Sequence, residues 1–84
     1  MKCTVIEVKT MLCSEDVQYY FKVAGTDKLL YWVTGSEKAW DELPKAKMNH
    51  KIVLITSFKE DGTFKNANGE VVQSIKNVRF KIAD

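Results

Sequence analysis

Few groups in this sequence could carry covalent or metal chemistry. His50 is the single histidine, and Cys3 and Cys13 are the two cysteines. On one extended segment the two thiols would lie roughly 33 Å apart at the rise of a strand, beyond disulfide reach. Two cysteines and one histidine also make no spaced zinc site. There is no phosphate-cradling glycine loop and no nucleophile motif. The adjacent acids Asp41-Glu42 and Glu60-Asp61 read as solvated surface rather than as acid–base pairs, so no catalytic residue, metal or cofactor is expected. What remains is recognition chemistry. Residues 17–34, VQYYFKVAGTDKLLYWVT, carry five of the nine aromatics. Their alternation gathers Tyr20, Lys22, Lys28, Leu30 and Trp32 on one outward face. Rings beside ammonium groups are unusual on a sheet that meets only water, and this face is the candidate binding surface.

The elements that must position it follow from periodicity. Val17, Tyr19, Phe21 and Val23 alternate with Gln18, Tyr20, Lys22 and Ala24, the period of a strand with two unlike faces. Gly25-Thr26-Asp27 reverses the chain, and Leu29, Tyr31 and Val33 then alternate with Lys28, Leu30 and Trp32. A hairpin of this register sends Tyr19, Phe21 and Tyr31 inward, where Phe80 of the last strand joins them. Upstream, residues 2–11 read as a strand with Thr4, Ile6 and Val8 on one face and Glu7 and Lys9 on the other. Val5 and Met11 fall on the polar side, which predicts a bend or partial burial. An acidic connection, 12–16, follows.

Downstream, Ser36 is an N-cap for a short helix over EKAWDEL, stopped by Pro44, with Ala39, Trp40 and Leu43 on one side and Trp40 as core anchor. Residues 44–49 form a basic connector. HKIVLITS, 50–57, is the most clearly buried strand. Asp61-Gly62 and Asn68-Gly69 mark 58–70 as an excursion or a small hairpin. The final strand, 71–82, has Ile75 and Val78 at opposite parity, which predicts a bulge between them.

A chain of 84 residues has room for one domain with one modest core. With 13 basic and 11 acidic residues the balance is nearly neutral, so any basic site must be local. The first residues lack the apolar core of a signal peptide, and no run approaches the roughly 20 apolar residues of a membrane span. The expected setting is a cytoplasm, that of a bacterium or a phage-infected host cell, with no membrane partner.

The element order is strand, strand, strand, short helix, strand, strand. That is the order of an OB-fold, a mainly β, five-stranded Greek-key barrel with one short α-helix between strands three and four. An SH3-like barrel leaves the helix without a place. On element order and alternation, nearly the whole chain resembles small OB-fold proteins of phage and plasmid type that bind single-stranded nucleic acid. The resemblance implies a ligand face made by the second and third strands with the loops joining strands one to two and four to five. Here that face is Tyr20, Lys22, Lys28, Leu30 and Trp32, with Lys59, Phe64 and Lys65 on the longer loop. Bases would stack on the rings at roughly 1–3 kcal/mol each while lysines neutralise phosphates, with single-stranded DNA favoured and little sequence preference. Arg79 and Lys81 would add to the site if they gather on the same side. Glu15, Asp16, Glu60 and Asp61 would repel phosphates from the framing loops. The alternative is a protein-interaction module, an inhibitor or adaptor, whose same face docks on a partner or pairs with a second copy as a homodimer.

Overall fold

Alternation builds the wall, and bulges bend it into a closed surface. The computed structural model describes residues 1–83. In chain order it has β1 (Lys2–Thr10), β2 (Val17–Val23), β3 (Leu29–Thr34), α1 (Glu37–Met48), β4 (Ile52–Lys65) and β5 (Val71–Ala83). The strands close into a barrel in the order β1-β2-β3-β5-β4. Neighbours are antiparallel except β3 and β5, which run parallel. With α1 between β3 and β4, this is the mainly β, closed five-stranded barrel with one short helix that the element order predicts.

The interior is filled by Cys3, Val5, Tyr19, Phe21, Leu30, Trp32, Val53, Ile55, Ile75 and Phe80, and α1 adds Ala39, Leu43 and Ala46. Trp32 sits at its centre, with ring centroids 5.9 Å from Tyr19 and 5.9 Å from Phe80. Tyr19, Phe21 and Phe80 are interior as expected. Tyr31 is not, and neither Leu30 nor Trp32 is on the outside: Leu30 is fully buried and Trp32 is 6% exposed. The cause is one residue of turn. A three-residue reversal over Gly25-Thr26-Asp27 pairs Ala24 with Lys28 and therefore Tyr20 with Trp32. Instead, Val23 N–H donates to the Lys28 carbonyl at 3.0 Å, which leaves four residues in the connection. The register becomes Tyr19 opposite Trp32, Tyr20 opposite Tyr31 and Phe21 opposite Leu30. Residues directly opposite share a face, so a slip of one residue exchanges the faces of the whole returning strand.

Three other expectations are corrected. Pro44 does not stop the helix. It lies inside α1, although it has no N–H to give the Trp40 carbonyl. Burial of Ala46, 2% exposed, draws the last turn onto the barrel, so the basic connector is the end of a helix. Trp40 only half-buries, and Ala39, Leu43 and Ala46 are the helix's buried contacts. Second, the excursion at 58–70 is mostly strand. Asp61-Gly62 is a bulge in β4, with Gly62 at φ 85°, and only 66–70 turns back. Lys59, Phe64 and Lys65 are therefore strand residues, not loop residues. Third, the face Thr4, Ile6, Val8 is broken by a register shift between Val5 and Glu7. Cys3 and Val5 point inward, Ile6 turns out at 44% exposure, and Val8 returns to pack on the core. The predicted bend in β1 is this bulge. The bulge predicted in β5 is also present, with Asn77 at φ 53° where two β5 residues oppose one on β4.

Both cysteines are free, Cys3 buried and Cys13 exposed. Among the described residues no helix is long and apolar enough to cross a membrane.

The register can be tested by stability. Trp32→Ala should cost about 3–5 kcal/mol in urea unfolding, whereas Val33→Ala, next door and facing out, should change stability by no more than about 0.5 kcal/mol. Equal small effects would mean that Trp32 is outside the barrel.

A second test uses the Tyr19 hydroxyl, which is buried without a hydrogen-bond partner. Tyr19→Phe should be neutral or stabilising by about 1 kcal/mol, because it removes an unsatisfied buried group. Burial also raises the Cys3 thiol and the Tyr19 phenol above their ordinary ranges. The unfolded chain then loses these protons first, so their contribution is intact at neutral pH and is lost as pH climbs past the ordinary thiol and phenol values. Unfolding midpoints should fall on that alkaline side, and less steeply in Tyr19→Phe. A flat alkaline profile would contradict the burial of both groups.

Candidate functional site

The same register that fills the barrel decides what is left outside it. Across the sheet, Tyr20 faces Tyr31 and Tyr31 faces Ser74, while Lys22, Leu29, Val72 and Phe64 form the next row. The rings of Tyr20 and Tyr31 lie 5.0 Å apart, and Phe64 meets Tyr31 edge-on at 5.2 Å. β5 runs between β3 and β4, and Ser74 is small enough for Tyr31 and Phe64 to touch over it. Leu29 is 8% exposed and Val72 is fully buried, yet neither belongs to the interior cluster. They bury on the outside, in a second apolar patch under this aromatic strip.

A cleft of about 560 Å³ opens over the patch. Its apolar wall is Ile6, Tyr20, Leu29 and Phe64, and its lip is the β4–β5 turn at Asn66, Ala67 and Asn68. Asn66 fixes that lip: its Oδ1 accepts the Asn68 and Glu70 backbone N–H groups, each at 3.0 Å, and its Nδ2 donates to Glu70 Oε1 at 3.3 Å. Gly69, at φ 78°, closes the turn through its N–H to the Asn66 carbonyl at 3.0 Å.

Charge around the cleft is mixed. Glu7, Asp27 and Glu70 line it, and so do Lys9 and Lys22. Lys9 lies 3.4 Å from Glu7 and 5.9 Å from the Tyr20 ring centroid. Lys22 has no ion pair among the described residues, which leaves it as the cation available to an incoming anion. The Tyr31 phenol is raised above its ordinary range, first by burial and second by the neighbouring Tyr20.

Of the expected site residues, the structure gathers Tyr20, Lys22 and Phe64 at the cleft. Lys28 and Lys65 are exposed beside lining residues. Leu30 and Trp32 are in the core. Lys59, Arg79 and Lys81 sit along the body of the β4–β5 pair, opposite Lys76, Ser57 and Leu54, and none lines the cleft. Lys76 is held 3.6 Å from Asp61. The acids expected to frame the groove, Glu15, Asp16, Glu60 and Asp61, are also absent from its lining. Tyr31 and Leu29 are the residues that sequence reasoning missed. Their signal was the paired aromatics Tyr19-Tyr20 and Tyr31-Trp32, which fit either parity until the turn length is known.

Among the described residues no group of three or more His, Cys, Asp or Glu side chains could hold a metal ion. No protein-family model matches the chain, and comparison with curated proteins and with solved structures finds no match.

Proposed function

We propose that this protein binds single-stranded nucleic acid, with DNA favoured, in the cleft over the outer face of β2, β3 and β4. The observation that carries this reading is the aromatic strip in which Tyr20 and Phe64 line the cleft and Tyr31, at its border, touches both, beside an ordered turn. Each base stacked on such a ring contributes about 1–3 kcal/mol without regard to sequence. The charge contribution is small. With Lys22 in the cleft and Lys28 and Lys65 at its margins, about two or three phosphates are neutralised, giving a salt slope near −2 for a single strand. Stacking, not charge, then supplies most of the affinity.

A second reading has its own support. The lining acids Glu7, Asp27 and Glu70 outnumber the two lysines, and a mixed polar rim around an apolar centre suits a protein partner.

Both Trp32 and Trp40 are packed against the core, so tryptophan emission is a poor reporter here. Fluorescence anisotropy of a labelled thymidine oligonucleotide of about 15 residues is the suitable assay. Tyr31→Ala and Phe64→Ala should each weaken binding by about 5- to 100-fold, while Arg79→Ala and Lys81→Ala leave it unchanged. Absence of binding at about 100 µM protein in low salt would overturn the nucleic-acid reading and leave the protein partner in its place.

A further inference from the structure

β1 is hydrogen-bonded along its whole length on one side only. On the β2 side the ladder runs from Cys3 to Thr10. On the β4 side it ends after two residue pairs, Lys2 with Leu54 and Cys3 with Val53. Beyond that point only Ile52 of β4 remains, and the chain before it is leaving α1 through Asn49 and His50. The Met11 N–H donates to the Asp16 carbonyl, and bonded and non-bonded pairs alternate along an antiparallel ladder. Glu7 and Lys9 therefore direct their backbone groups at β2, and Val8 and Thr10 direct theirs away from it. A hollow of about 620 Å³ lies between β1 and α1, with Val8 and Pro44 among its walls. Beside it Ile6 is 44% exposed and Met48 is 78% exposed. A strand edge left without a hydrogen-bonded neighbour and flanked by apolar side chains is a template for another strand.

We infer that the occupant is a second copy of this chain, paired antiparallel through β1 about a two-fold axis at Val8. Self-complementarity is what selects a copy of the chain over an unrelated strand. With Val8 opposite Val8 of the other copy, the two residues exchange their N–H and C=O groups across the axis. The same register sets Glu7 opposite Lys9 of the second copy and Lys9 opposite its Glu7, and a two-fold axis makes both pairs at once. Opposite charges directly across a ladder are stabilising, and like charges are destabilising. The bulge at Ile6 ends the matched run on one side and the turn after Thr10 ends it on the other. Pairing at this edge joins the outer faces of β3, β2 and β1 with those of the second copy, so the two Tyr20–Tyr31 strips lie on one continuous sheet. Glu7 and Lys9, which pair with each other at 3.4 Å within one chain and line the cleft, would exchange partners across the axis, and the test below is made without any ligand.

The test is sedimentation equilibrium of the ligand-free protein, and the interface is short, so concentrations should reach about 1 mM. The wild type should pass from monomer to dimer mass as concentration rises. Glu7→Lys alone and Lys9→Glu alone each place like charges across the axis, and each should raise the midpoint concentration by about tenfold or more. An equimolar mixture of the two variants restores both opposite-charge pairs and should return the midpoint to the wild-type value. Both side chains are about half exposed, so neither change threatens the fold. Monomer mass throughout would overturn the inference. So would a dimer that ignores the single substitutions, or single variants whose association is not restored by mixing.

Discussion

The structure depends on the length of one turn. The Val23 N–H bonds the Lys28 carbonyl, the Thr26 hydroxyl bonds the Val23 carbonyl at 3.1 Å, and the Lys28 N–H bonds Thr26 Oγ1 at 3.0 Å. Gly25, at φ 76°, supplies the left-handed residue that this connection requires. Together these contacts fix an even number of residues, 24–27, between the paired Val23 and Lys28. From that parity follow the placement of Trp32 between Tyr19 and Phe80, the placement of Tyr31 beside Tyr20, and the division of the apolar residues into an interior cluster and an outer patch. The barrel and the candidate cleft are thus two faces of one choice.

A small barrel closed by five strands must also bend sharply, and the bends are assigned to particular residues. Ile6 swells β1, Gly62 swells β4, and Asn77 swells β5. Each adds an unpaired residue and turns the strand. The bend at Gly62 comes just before the hairpin tip, whose turn forms the lip of the cleft. The bend at Ile6 turns its side chain outward into the cleft wall. Curvature and site therefore share residues, and the aromatic strip is set by backbone geometry as much as by side-chain type.

Much of this was legible in the sequence. Element order and the period-two pattern of 17–24 identify a barrel with one helix, and the parity break between Ile75 and Val78 marks a bulge that is present. What escaped has common physical causes. Leu29-Leu30-Tyr31-Trp32-Val33 is apolar on both faces, so alternation cannot say which side is inward, and a single turn residue decides it. Pro44 looks like a stop because its local cost is plain, while the burial of Ala46 that outweighs it is a tertiary fact. Asp61-Gly62 and Asn68-Gly69 are equal turn signals in the chain. Only pairing with β5 makes one a bulge and the other a reversal. Tyr20 and Lys22 face outward as the alternation of β2 alone implies, whatever the turn that follows, and Phe64 also reaches the cleft, though from a strand rather than a loop. Lys59, Arg79 and Lys81 lie away from the cleft, because charge content says nothing of which wall a strand residue faces.

The two thiols have a practical consequence. Cys3 is sealed at the seam where β1 meets β4, and its raised pKa keeps it protonated, whereas Cys13 is open to solvent at the far end of the same hairpin arm. Thiolate is the species that reacts with alkylating reagents. A maleimide will therefore mark Cys13 promptly, and the slower modification of Cys3 will time the opening of the barrel seam. The molecule carries an internal clock near the start of its first strand and a surface handle in the turn that follows it.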